Sequence, residues 1–178
     1  SGAAWAQHAG HAGHADHMGH QAAPTPYAGQ QARSIKALSP QEAQDLIDGK
    51  GMGLAKAAQL NSYPGPMHVL ELAQPLKLSD AQRDSTTRLM QTHKDEARAL
   101  GRQLVEAERE LDQAFATRQI DAASLTARLQ RIGALQAAVR DAHLQTHLKQ
   151  TALLTPAQIT QYNQLRGYGS GAASTHKH

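Results

Sequence analysis

Histidine is the residue type whose placement first suggests chemistry in this chain. His8, His11, His14, His17 and His20 recur at every third position, with Met18 among them. Neutral imidazole ligates copper, zinc and nickel, and thioether sulfur favours Cu(I). Gly and Ala spacers would let such a segment wrap several donors around one ion. The ligands must be deprotonated, so binding of this kind weakens in acid. The competing reading is a low-complexity tail; the interrupted spacing is unlike the contiguous histidines of a purification tag.

A second set lies farther along the chain. His143 and His147 are four residues apart and share one face if the segment is helical. His93 lies on an apolar stripe of an earlier segment, and Met67 and His68 stand before it. A lone histidine on such a stripe is usually a hydrogen-bonded core or boundary residue. Several aligned imidazoles are different, because burying one without a partner costs on the order of 1–3 kcal/mol and a shared cation relieves that cost.

The elements that would position these residues are helical. Ala, Leu, Gln, Arg and Glu dominate, and long β-branched runs are absent, which predicts an all-α fold. Ser39-Pro40-Gln41-Glu42 reads as a capping box with Pro at the first helical position, opening a helix that stops at Gly49. Short helices are expected over 53–60 and 66–74. Ser79-Asp80-Ala81-Gln82 opens the longest pattern, to about 118. Gln119-Ile120-Asp121 forms a turn, with Asp121 capping a helix over 122–151, and Thr155-Pro156-Ala157-Gln158 starts a last helix ending near 166.

The two long segments carry matching apolar stripes: Leu89, His93, Ala97, Leu100, Leu104, Ala107, Leu111 and Ala114 on the first, and Leu125, Leu129, Ile132, Gln136, Val139 and His143 on the second. A short turn between them predicts an antiparallel hairpin. The register sets Leu111 opposite Leu125, Leu104 opposite Ile132, Ala97 opposite Val139 and His93 opposite His143. Leu89 falls level with His147. His93, His143 and His147 are therefore expected to meet near the open end of the hairpin, with His68 and Met67 folded back into range. So long a hairpin has a narrow core. The short helices, or a second copy of the chain, must cover its remaining apolar face, and a homodimer is the expectation.

Composition removes other classes. With no cysteine there is neither disulfide nor thiolate ligation. The net charge is +3, and no basic stripe with interleaved aromatics appears, which argues against nucleic acid. No Ser/His/Asp order, phosphate-binding loop or H-E-x-x-H motif is present, so no enzyme is expected. Gly51-Met52-Gly53 lacks the Lys of a phosphate loop and reads as a hinge. Ala4-Trp5-Ala6 has the small-x-small form of a signal-peptidase site, although ordinary tail residues read the same way. The expected organisation is a His-rich, disordered tail over 1–34, a helical domain over 35–166 and a flexible tail over 167–178.

Leu78-Ser79-Asp80-Ala81-Gln82 and Leu154-Thr155-Pro156-Ala157-Gln158 both resemble the LTxxQ motif. Two such motifs flanking a helical hairpin resemble the Spy/CpxP family of periplasmic proteins, whose superfamily includes CnrX-type nickel and cobalt sensors. The resemblance covers about 66–166. It implies a periplasmic location, a cradle-like dimer and a role in envelope or metal stress. Against the CnrX-type pattern, the later pair is His143-x3-His147 with histidine in place of methionine, and the early region offers Met67, His68 and Glu71 instead of a histidine pair.

The combined expectation is a periplasmic metal-binding protein of metal resistance that buffers, scavenges or delivers copper, with zinc or nickel as alternatives. The other functional readings are a Spy-like chaperone for unfolded clients and a sensor that signals to a membrane or efflux partner.

Overall fold

The structure, a computed structural model, describes residues 22–169. All of the described secondary structure is helical. The tail histidines and Met18 lie outside the described residues. Residues 22–34 are mostly exposed and include one 3-10 turn, Gln30–Ala32. Ile35 is buried, and beside it Asp112 pins the chain by accepting from both the backbone N–H of Lys36 (2.8 Å) and its Nζ (3.2 Å).

Six helices follow: α1 (Pro40–Ile47), α2 (Lys56–Gln59), α3 (Pro66–Glu71), α4 (Asp80–Ala116), α5 (Ala122–Ala152) and α6 (Pro156–Leu165). The starts of the longer ones are set locally. At Ser39, Ser79, Asp121 and Thr155 the side-chain oxygen accepts from the backbone N–H three residues on, while that residue's side chain accepts from the cap's own N–H. Each box satisfies N–H groups that a helix start otherwise leaves without partners. Gly49, with φ +69°, follows the end of α1 and turns the chain where a side chain would be strained.

The 37-residue α4 spans about 55 Å and packs along α5 as the expected antiparallel hairpin. Leu104, Ala97, Ile132 and Val139 are buried in its seam. Leu129 and Gln136 depart from the expected stripe, Leu129 being 49% exposed. Both are exposed; α1 and most of α3 pack on α4, and α2 and α3 make only small contacts with α5. A dimer stays an expectation, since a single chain is described.

Two apolar cores form. One, in the middle of the hairpin, joins Ile35, Leu46, Leu104, Val105, Ile132 and Val139. The other, at the open end, joins Val69, Ala73, Leu76, Leu78, Leu154 and Tyr162. Between them the seam turns polar. His93 meets His143 there, and one level farther out the Gln150 amide donates to the Thr86 hydroxyl at 3.1 Å, both residues being fully buried.

At the open end the two outer capping boxes are tied to each other. Gln82 Nε2 donates to Gln158 Oε1 (2.7 Å) and Gln158 Nε2 donates to Gln82 Oε1 (3.0 Å). Each amide also donates to a backbone carbonyl of the opposite segment, Gln82 to Leu153 and Gln158 to Leu76. One glutamine therefore closes its own box and holds the other helix start. Gln82→Ala leaves partly buried partners unsatisfied and is expected to lower unfolding free energy by about 2 kcal/mol. The double variant with Gln158→Ala should cost clearly less than the sum of the two single changes. Urea denaturation of the four proteins checks both statements; additive losses would mean that the amides act independently.

Candidate metal site

The polar stretch of seam opens into a cleft of about 500 Å³ between the hairpin and the chain that packs on it. His93, Met90 and Lys94 of α4 line it, as do His143, Thr146 and His147 of α5. The opposite wall is the 48–53 loop with Gly65, Pro66, Met67 and His68.

His93 and His143 stand edge to face, with ring centroids 4.7 Å apart and planes at 68°. This is the neighbour relation that the hairpin register predicts. His143 is 4% exposed. His93 Nδ1 and His143 Nε2 are both buried and neither has a hydrogen-bond partner. A buried polar atom left in this state costs free energy that folding must offset elsewhere. Burial pushes the His143 ring down to about 4, with the nearby His93 and then His147 adding to it. Burial, and after it His147, also lowers His93. Both rings are thus kept neutral, the form that presents a lone pair to a cation.

The remaining predicted residues reach the same cleft without closing on the pair. His147 Nδ1 lies 2.6 Å from the Tyr63 carbonyl oxygen. His68 Nδ1 lies 2.9 Å from Glu71 Oε2, a carboxylate on its own helix. Met67 lines the cleft but is 54% exposed. Among the described residues, no three His, Asp or Glu side chains converge as one ion would require. The expected meeting of three imidazoles is therefore a pair with a third held beside it. The reason is local: the Tyr63 carbonyl holds the His147 ring toward the loop.

Met90, with Met18 and Met67 one of the methionines that favour copper at the level of sequence, lines the cleft. It sits three residues before His93, one helical turn along the face that reaches the cleft. Its spacing to His93 was the available signal. The Lys50 and Lys94 walls and the clearance at Gly65 had none, because they depend on where the short segments pack.

A family model described as heavy-metal resistance matches residues 53–161. That span is more than half of the chain and contains every residue of the cleft on α3, α4 and α5. The chain belongs to the heavy-metal resistance family. The family lies within the Spy/CpxP-like helical superfamily, as the two motifs and the hairpin implied. No curated protein and no solved structure matches the chain. This heavy-metal resistance protein carries its paired imidazoles inside the matched region, whereas its tail histidines fall before it.

Proposed function

We propose that this heavy-metal resistance protein binds copper in the hairpin cleft and buffers or delivers it in the periplasm. His93 and His143 would be the primary ligands, Met90 and Met67 the thioether donors, and His147 and His68 the flanking imidazoles. The observation that carries the reading is the imidazole pair, His143 buried and His93 half-buried, each with a buried nitrogen that has no hydrogen-bond partner. A cation held at those nitrogens turns their burial from a cost into a use.

The donor chemistry favours copper, and Cu(I) in particular. Soft thioether sulfur selects Cu(I), whereas structural zinc is usually held by four protein ligands in a tetrahedron. Two imidazoles with nearby methionines suit the first better than the second. His8, His11, His14, His17, His20 and Met18 would add a looser, outlying store of the same metal. The periplasmic assignment rests on the superfamily resemblance. No described helix is long and apolar enough to cross a membrane.

Competitive titration against chelators of known affinity tests the metal. It should use this chain with the seven histidines outside the domain, five before it and two after it, replaced by alanine. Cu(I) is expected to bind one per chain, and more tightly than Zn(II) or Ni(II). His93→Ala and His143→Ala should each weaken it by at least about 100-fold, more than the loss of an outer-shell partner costs. Zinc or nickel winning the competition would remove copper; binding untouched by both substitutions would remove the cleft.

A further inference from the structure

We infer that residues 49–53 form a lid over the imidazole pair, which swings aside to admit whatever reaches His93 and His143. The inference deepens the copper reading by assigning how the cleft is entered, and its first test needs no metal. His93 Nδ1 and His143 Nε2 are shielded from solvent although both rings line the cleft. Gly49, Lys50, Gly51 and Gly53 belong to the facing wall, and the Lys50 backbone lies beside the His143 ring. With that wall in place, no ion from solvent touches the paired nitrogens.

The wall is lightly tethered, at one point on each long helix. Arg98 Nε of α4 donates to the Asp48 carbonyl at 3.4 Å, and Arg140 Nε of α5 donates to the Leu54 carbonyl at 3.3 Å. Both bonds are longer than the usual N–H···O distance of about 2.9–3.0 Å. Between these clamps, among the described residues, no hydrogen bond joins 49–53 to α4 or α5. The loop's own bonds are local: the Lys50 N–H to the Asp45 carbonyl, Lys50 Nζ to the Asp45 carboxylate and the Leu54 N–H to the Gly51 carbonyl. Gly49 and Gly53 hold φ of +69° and +72°, which glycine adopts freely. Met52 holds +51°, where a side chain is disfavoured, so opening the loop releases strain. The Gly51-Met52-Gly53 segment, which reads as a hinge in the sequence, thus has something to uncover. A segment with few bonds to its surroundings opens locally, without unfolding of the whole chain.

The first test treats metal-free protein with diethyl pyrocarbonate, which acylates neutral imidazole, and follows His143 by mass spectrometry of its peptide. Arg98→Ala combined with Arg140→Ala removes both clamps. His143 should then be modified roughly 10-fold faster, about the factor that one or two lost hydrogen bonds supply. The rate should not change with low concentrations of urea, since local opening exposes little surface. A parent-like rate in the double variant overturns the lid. So does an acceleration that climbs with urea in step with global unfolding. Arg140→Ala alone, at an exposed position, serves if the double variant does not fold, with a smaller acceleration expected. The second test is stopped-flow binding of Cu(I) under anaerobic conditions. Capture and release should both quicken in the double variant, leaving affinity within about 3-fold of the parent, because a lid changes rates more than equilibrium. Faster release with unchanged capture overturns the lid and leaves the cleft reading standing. Loss of the cleft reading, by Cu(I) binding that ignores His93→Ala and His143→Ala, leaves the lid to be decided by the modification rate.

Discussion

Gly101→Ala should unseat α1 from the long hairpin and cost about 3 kcal/mol of unfolding free energy, at the upper end of what overpacking usually costs. Gly101 lies inside α4 and is buried. In an exposed helix interior the same change would gain about 1 kcal/mol, because glycine is a poor helix former. Here a Cβ would fall 1.8 Å from the Leu46 carbonyl oxygen and 2.6 Å from its carbon. Those are backbone atoms of α1, and no rotamer change can move them away. Leu46 is a member of the central core, so a shift of α1 would also disturb its packing with Leu104 and Val105. At Gly65, by contrast, an added Cβ would meet only the imidazole of His147, a side chain that can turn. Chemical denaturation checks the prediction: a Gly101→Ala protein as stable as the parent would mean that α1 is not seated as described.

The second large effect is acid lability centred on His143. In the unfolded chain this ring takes up its proton near the ordinary value of 6.5, and in the folded chain only near 4. Between those values the unfolded state binds more protons, so stability falls as pH drops through this window. Above pH 6.5 the contribution is fully present. The fall amounts to at most about 3 kcal/mol, and the lowered His93 ring acts in the same direction. Denaturation midpoints of metal-free protein between pH 7 and pH 4 should show the slope. His143→Leu, close in volume and without a polar atom to bury, should flatten it. That variant should be more stable than the parent at pH 5 and should lose Cu(I) binding, the usual exchange of function for stability. An unchanged slope in His143→Leu would show that the acid response arises elsewhere.

Much of the fold was readable because its signals are local. Ser39, Ser79, Asp121 and Thr155 each start a helix as expected, since a capping box needs only four consecutive residues. Helix ends were less legible: α3 closes at Glu71 and α4 at Ala116, a few residues short of the apolar pattern, because fraying is settled by what packs on the last turn. The contact of His93 with His143 followed from a short turn and two matched stripes. Exposed Leu129 and Gln136 did not, because period alone does not say which flank of a helix its neighbours will cover.

The candidate site divides the same way. Residue spacing determined the level and face of His93, His143 and His147, since an α-helix advances and rotates by a constant amount per residue. Only the tertiary structure decided that His147 turns to the Tyr63 carbonyl, that His68 pairs with Glu71 and that Met90 enters the cleft wall. It alone brought Gln82 to Gln158 and the Leu46 carbonyl against Gly101. Those outcomes depend on side-chain rotamers and on the path of short segments across the hairpin. Both are settled by contacts between residues far apart in the chain, which no local pattern encodes.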